Sequence, residues 1–308
     1  MFITPASLDA AYTGFSHSFQ QGVMSAMPFW SKLAMQTGSD TEQEVYSFMS
    51  RIPRLREWVG ERVYNDLAAN TYTLPNKDYE DSFEVPRNKF EDDKFGIYMH
   101  SAQALGQAVS LWPDDLVIEA LLAGGSQLCY DGQYFFDTDH PKNPQDTSAG
   151  TQANLYTSTA LSAANYNTVR SSMRALIGED GKTMRITPNL LVVPPALEKT
   201  AREIVVAQTV PNSGGTASQT NVQAGTADIL VIDDLAASAG GSDTNWYLLD
   251  DTKPIKPFLF QLRRSPTLQF FDRPTDQNVF EKKKFRFGVD GRGRAGYGLW
   301  YLAAKCTA

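Results

Sequence analysis

Apolar residues recur at Phe95, Tyr98, Ala102, Leu105, Val109 and Trp112, with spacings of 3, 4, 3, 4 and 3. That rhythm lays one stripe along about five turns and predicts a long helix with one buried face. Glu91-Asp92-Asp93 lie just before it or in its first turn, where carboxylates favour the positive helix end. This accounts for the acidic triplet more simply than a metal site does. Pro113 is expected to end the helix and to open the next one at its first position. Asp114 and Asp115 then fall in a new first turn, and Gly124-Gly125 close it. Two further helices are predicted. One runs over Asn165–Ile177 with Tyr166, Val169, Met173 and Leu176 on one face; the other carries Leu197, Ala201, Ile204 and Val205.

Other segments have period two or are wholly apolar. Leu190–Val193, Ile229–Ile232 and Trp246–Leu249 read as buried strands, and the Ser/Gly-rich stretches 211–221 and 237–242 as exposed loops. Residues 155–250 therefore look like a compact α/β unit. Phe285-x-Phe287-x-Val289 and Tyr297-x-Leu299-x-Tyr301 predict strands near the C-terminal end. Earlier, Tyr46, Phe48 and Ile52 alternate with polar or small residues. Strand-like residues return at Tyr72-Thr73-Leu74 and, after Pro75-Asn76, at Tyr79, Asp81, Phe83 and Val85. Between these lies a charged tip with Arg54, Arg56, Glu57, Trp58, Glu61 and Arg62. The whole is a long β-excursion. Residues 1–43 read as an arm: a short helix from Ser7 to about Gln21, then scattered aromatics with no lasting period. Aromatics that cannot form their own core must pack on the chain's body or on a neighbouring subunit.

The length of 308 residues suggests two compact units at about 150 residues each. With 42% hydrophobic and 20% charged residues, the chain is neither disordered nor collagenous nor a coiled coil. No apolar run reaches the roughly 18 residues that span a bilayer. Met1–Pro5 lacks the features of a signal peptide. Two cysteines, Cys129 and Cys306, fit synthesis in a reducing cytoplasm rather than a disulfide scaffold. The net charge of −7 argues against a generic nucleic-acid binder. It is unevenly spread, however: residues 251–308 hold 12 Lys/Arg against 5 Asp/Glu, a balance of +7 that leaves −14 elsewhere.

Candidate chemistry is sparse. Gly291-x-Gly293-x-x-Gly296 matches a dinucleotide fingerprint as text, but no helix follows it to hold a pyrophosphate. A hairpin turn is expected there instead. Cys129, Asp131, Asp137, Asp139 and His140 crowd one loop. One Cys and one His eleven residues apart suit neither a structural metal site nor an evident nucleophile pair, and a structured turn is the simpler reading. Arg263-Arg264 and Lys282-Lys283-Lys284 are the basic clusters. They are candidates to face phosphate, although the lysines also suit a solvated sheet edge.

Several motifs then combine. They are Val85-Pro86-Arg87-x-x-Phe90-Glu91-Asp92-Asp93-x-Phe95-Gly96-Ile97-Tyr98, and Cys129-Tyr130-Asp131-Gly132-Gln133-x-Phe135-Phe136-Asp137-x-Asp139-His140-Pro141. Trp246–Asp250, Lys253-Pro254-Ile255-Lys256-Pro257 and Gly296–Trp300 follow. In this order, the chain resembles the Mu-like phage major head (capsid) protein gpT family over nearly its whole length. The resemblance implies an α+β Hong Kong 97-type phage capsid fold. It implies an N-terminal arm at 1–43, an E-loop at 44–76, a P domain with a long spine helix at 77–154, an A domain at 155–250, and a return to the P domain at 251–308. It further implies a major capsid protein that self-assembles into hexamers and pentamers of an icosahedral virion shell after synthesis in the host cytoplasm. Expected partners are other copies, portal and scaffold proteins, a decoration protein, and packaged double-stranded DNA met without sequence specificity, with no membrane. No catalytic residue, metal or cofactor is implied. Arg54, Arg56, Glu57, Trp58, Glu61, Arg62 and Lys77 become intersubunit contact candidates. Lys77 lies where some relatives of this fold form a lysine–asparagine crosslink, but the sequence defines no partner for it. Arg263, Arg264, Lys282, Lys283 and Lys284 become DNA-facing candidates. The alternative is an encapsulin-like compartment that shares the fold and packages protein cargo.

Overall fold

The computed structural model describes residues 5–49, 69–91, 96–143, 147–179, 181–211, 218–271 and 276–308. In chain order, α1 (Pro5–Ser25) and a short α2 (Trp30–Leu33) lead into β1 (Ala34–Gly38), β2 (Gln43–Met49), β3 (Ala69–Pro75) and β4 (Lys77–Pro86). Then come α3 (Arg87–Glu91), α4 (Ile97–Ala123) and three two-residue strands, β5 (His140–Pro141), β6 (Thr151–Gln152) and β7 (Leu155–Tyr156). These are followed by α5 (Ala163–Ala175), β8 (Leu190–Val193), α6 (Glu198–Val205), β9 (Thr209–Pro211), β10 (Ser218–Thr220), β11 (Asp228–Val231) and β12 (Trp246–Leu249). The chain closes with β13 (Phe258–Phe271), α7 (Gln277–Lys282), β14 (Lys284–Tyr297) and β15 (Ala303–Cys306).

Two sheets organise these elements. One has the order β11-β8-β12-β15-β7. Its strands β8 and β12 are wholly buried, as their unbroken apolar sequences require. Helix α6 packs on β8 and β11. Helix α5 buries Tyr166, Val169 and Met173, and the Ser162 hydroxyl caps it by accepting the Asn165 N–H at 3.2 Å. The other sheet has the order β1-β13-β14-β4 and is built on the 14-residue strands β13 and β14. Alternate side chains of β14, Phe285, Phe287 and Val289, are buried toward α1 and α4.

The stripe on α4 does pack inward. Ala102 and Leu105 are buried, and Trp112 meets Phe260 edge-on at 5.7 Å between ring centres. Phe95 lies outside the described residues, as do Asp92 and Asp93. The face is shared between the sheet and α1, because α1 crosses α4 at close range. A Cβ on Gly22 would stand 2.0 Å from the Gln103 carbonyl oxygen, and one on Gly106 would stand 2.1 Å from that of Phe19. Only glycine permits this approach. The arm aromatics thus find their home on the chain's own body: Phe15 stacks on Phe287 at 4.4 Å, and Trp30 packs on Phe260 at 5.2 Å.

Three expectations are corrected. Pro113 does not end a helix; α4 runs through it for 27 residues. An interior proline costs about 3 kcal/mol. Beyond it the helix buries Leu116, Val117, Ile118 and Leu121, each worth about 1.5–3 kcal/mol. Packing therefore outweighs the break. The buried Asp114 consequently caps no turn of α4. Its carboxylate instead accepts the N–H groups of Phe29 and Trp30 at 3.0 and 2.7 Å, at the start of α2. Second, Gly291, Gly293 and Gly296 form no hairpin turn; all three lie inside β14. Third, the strand expected over Tyr297–Tyr301 stops at Tyr297, and Trp300–Leu302 make a 3-10 turn before β15. Among the described residues, no helix is long and apolar enough to cross a membrane.

Candidate functional site

The β-excursion is a two-stranded ribbon. β2 and β3 pair antiparallel from Gln43↔Pro75 to Met49↔Ala69, and among the described residues neither joins a further strand. Arg54, Arg56, Glu57, Trp58, Glu61 and Arg62, the predicted contact residues of its tip, lie outside the described residues. Lys77 stands just past the ribbon, exposed, as the first residue of β4 opposite Gly293.

The foot of the ribbon is well defined. Gln261 of β13 is fully buried beneath it. Its Oε1 accepts the Tyr46 hydroxyl at 2.8 Å, and its Nε2 donates to the Leu74 carbonyl at 3.2 Å and to Asn76 Oδ1 at 2.7 Å. Asn76 Nδ2 passes the network on to Ser39 Oγ at 2.8 Å and the Thr41 carbonyl at 2.9 Å. One Glu44 oxygen then receives the N–H groups of Asp40 and Thr41 and the Ser39 and Thr41 hydroxyls, at 2.8–3.0 Å. These donors hold its carboxyl down at about 2, from an ordinary 4.5. Sequence reasoning missed this network. A glutamine in a β-strand carries no motif, and its partners lie up to 215 positions away.

The basic clusters are separate and partly spent within the chain. Arg263 donates to the Ser39 carbonyl at 3.1 Å and stands 3.9 Å from Asp40. Arg264, at an irregularity in the β13–β14 register, pairs with Asp290. Lys282 ends α7, and the Lys283 carbonyl accepts the Arg87 N–H at 2.9 Å. Lys284 pairs with Glu84, which also meets Arg286 at 3.5 Å and is held below its ordinary range chiefly by Lys284. Arg264 faces Arg292, eight residues along β14 from Lys284. At roughly 3.4 Å per residue the clusters stand about 27 Å apart and form no single patch. β14 is also interior to its sheet, so the lysines guard no edge.

The crowded loop does bring Cys129, Asp131 and His140 together, with donor atoms within 4.8 Å of one another. The side-chain amide of Asn154 fixes the arrangement. Its Nδ2 donates to the carbonyls of Phe135, Trp300 and Ala303 at 2.8–3.1 Å. Its Oδ1 therefore accepts, from the Asp137 N–H at 2.9 Å and from His140 Nε2 at 3.2 Å. His140 Nδ1 meets Asp131 Oδ2 at 2.7 Å, and the Cys129 thiol donates to Asp131 Oδ1 at 2.9 Å. Burial works to raise the Asp131 carboxyl, but His140, Cys129 and the Gln133 N–H outweigh it and leave it lowered. Burial pushes the Cys129 thiol well up, against nucleophilic use. His140 is fully buried and stacks on Trp300 at 3.9 Å. The donors are spent on one another. A cation would have to displace two protons and would find no fourth ligand among these three residues. Asp137 and Asp139 stand outside the trio. The cluster is a closed polar staple joining the 129–154 loop to the C-terminal segment.

The model of the family described as Mu-like prophage major head subunit gpT matches residues 8–160, 155–235 and 233–308. The chain is 30% identical over 303 residues to the major capsid protein of Escherichia phage Mu, covering 98% of this chain and 74% of that one. It is 28% identical over 302 residues to the Mu-like prophage FluMu major head subunit of Haemophilus influenzae, covering 98% and 73%. Its fold is similar to that of a chain in the procapsid of bacteriophage JBD30. The TM-score is 0.61 and the identity 28%, over 99% of this chain and 76% of that one.

Proposed function

Because the chain belongs to the Mu-like prophage major head subunit family, we propose a division of labour among its parts. The chain is a major capsid protein of a tailed phage with the Hong Kong 97-type fold, and its copies build an icosahedral shell. Membership of this family also sets aside the encapsulin-like compartment. The copies are proposed to meet as hexamers and pentamers. Residues 1–43 serve as the arm, 44–76 as the E-loop, 77–154 as the P domain and 155–250 as the A domain, with 251–308 returning to the P domain.

The β2–β3 ribbon carries this reading. A two-stranded hairpin is marginal in water when nothing covers it. Val45 on this one is 58% exposed. A neighbouring copy is the natural cover, with Arg54, Arg56, Glu57, Trp58, Glu61 and Arg62 at the tip and Lys77 beside the foot as contact residues. Interfaces of this obligate kind bury over about 2,000 Å². Sedimentation of the full chain under assembly conditions tests the reading, with shells expected. A permanently monomeric chain whose ribbon amides are already protected would overturn it.

Packaged DNA is proposed to meet the inner surface without sequence readout, through Arg263, Arg264, Lys282, Lys283 and Lys284. The internal pairs of Arg264 with Asp290 and of Lys284 with Glu84 neutralise part of that charge and tie neighbouring strands within the subunit. Any contact should weaken steeply with salt and ignore sequence. Portal, scaffold and decoration proteins are proposed partners. Catalysis, metal and cofactor have no proposed part, and the protein is proposed to be made in the host cytoplasm.

A further inference from the structure

A hairpin that reaches out to a neighbour must leave its own subunit at a fixed angle. A ribbon of two strands has little bending stiffness of its own. The angle must therefore be set where the ribbon stands on the body. Two contacts define that place. The first is steric: Leu74 is buried on β14 at Gly296, where a Cβ would lie 2.8 Å from Leu74 Cδ2 and 2.9 Å from the Tyr72 hydroxyl. The second is polar and directional. The buried Gln261 amide bonds a hydroxyl on β2, a carbonyl on β3 and the side chain of Asn76, the residue linking β3 to β4.

The amide cannot turn over. Asn76 Nδ2 is engaged by Ser39 and Thr41, so Asn76 Oδ1 must face Gln261 and must receive a donor. Gln261 Nε2 supplies it, which leaves Oε1 for Tyr46. The Tyr46 hydroxyl gives its proton to Oε1 and accepts from Thr37 Oγ1 at 2.7 Å. Each member has one orientation, and together they tie both ribbon strands to the centre of the four-stranded sheet.

We propose that Gln261 is the positioning residue of the ribbon: it fixes the angle at which β2–β3 leaves the subunit, and hence the reach of the ribbon to a second copy of this chain. This rests on the reading of the ribbon as an intersubunit element. It assigns a role in assembly to a residue that touches no neighbour itself.

The test uses the full chain and Gln261→Leu, which keeps much of the volume and removes the bonds to the Tyr46 hydroxyl, Asn76 Oδ1 and the Leu74 carbonyl. Asn76→Ala, at a half-exposed position, serves if the first variant fails to fold. Amide exchange in 43–49 and 69–75 should quicken roughly tenfold or more, while 190–193 and 246–249 keep wild-type protection. Shell yield should fall or particle diameters should broaden in electron micrographs at unchanged subunit circular dichroism. A folded variant with wild-type ribbon exchange overturns the proposal. So does one with a loosened ribbon and shells of wild-type yield and diameter. A chain whose residues 43–75 are replaced by a Gly-Ser linker separates the two ideas. If that chain builds normal shells, the ribbon reading has failed; if it builds none while Gln261→Leu assembles normally, only the role of Gln261 has failed.

Discussion

The five-stranded sheet and the β2–β3 ribbon are built from similar β-forming residues, yet they reach opposite outcomes. In the sheet, Leu190–Val193 and Trp246–Leu249 are buried at every position, flanked by strands on both sides. The burial of these two strands is complete within one chain. In the ribbon, the described side chains on β2 alternate between exposed and half-buried, and among the described residues no third strand joins. Its fixed points are at the foot, Leu74 and the Gln261 network. The difference lies in what covers the strands rather than in their propensity. A region that closes its own core specifies the subunit. A region that cannot is free to specify how subunits meet.

The contrast can be broken most forcefully from the sheet side. Leu248→Ala, at a fully buried position of β12, should cost about 2–5 kcal/mol. Thermal unfolding of the subunit reads that loss. A variant that unfolds like wild type would mean the sheet is not the self-sufficient partner in the comparison. Next in size is the crossing of α1 over α4. Gly22→Ala must push against the Gln103 backbone and should cost about 1–3 kcal/mol by overpacking. Limited proteolysis should then release the arm while the five-stranded sheet stays protected. Uniform loss of protection would instead make arm and sheet one cooperative unit.

Acid sharpens the comparison at the ribbon foot. Glu44 is lowered from 4.5 to about 2, chiefly by the backbone N–H of Asp40 and next by that of Thr41. A depressed carboxyl contributes stability that is fully present above 4.5 and is lost as pH falls through about 2. Protection of the amides at 43–45 and 73–75, relative to their intrinsic exchange at each pH, should therefore fall across that window, ahead of the five-stranded sheet, and Glu44→Gln should remove that loss of protection. The smallest expected effect per site is at the tip. Charge reversal Arg56→Glu should leave circular dichroism unchanged and reduce shell yield. One exposed ion pair is worth only about 0–1 kcal/mol, but the loss repeats at every subunit contact. Undiminished assembly at moderate salt would remove Arg56 from the interface.

The chain's own pattern determined the elements whose burial is periodic and local. The stripe from Tyr98 to Trp112 specified a helix, the runs at 190–193 and 246–249 specified buried strands, and the alternation around Tyr46 and Tyr72 specified the ribbon. Linked motifs pointed to the family. Tertiary structure alone decided the rest. Leu116, Val117 and Leu121 found a core that carries α4 through Pro113, against the local rule. β15 entered between β12 and β7 from the far end of the chain. Asn154 and Trp300 closed on His140, and Gln261 closed on Asn76 across 185 positions. Periodicity records which face of an element is apolar. It holds no record of which distant group will satisfy a buried amide, because that pairing is chosen only when the folded chain excludes water and leaves the amide one place to bond.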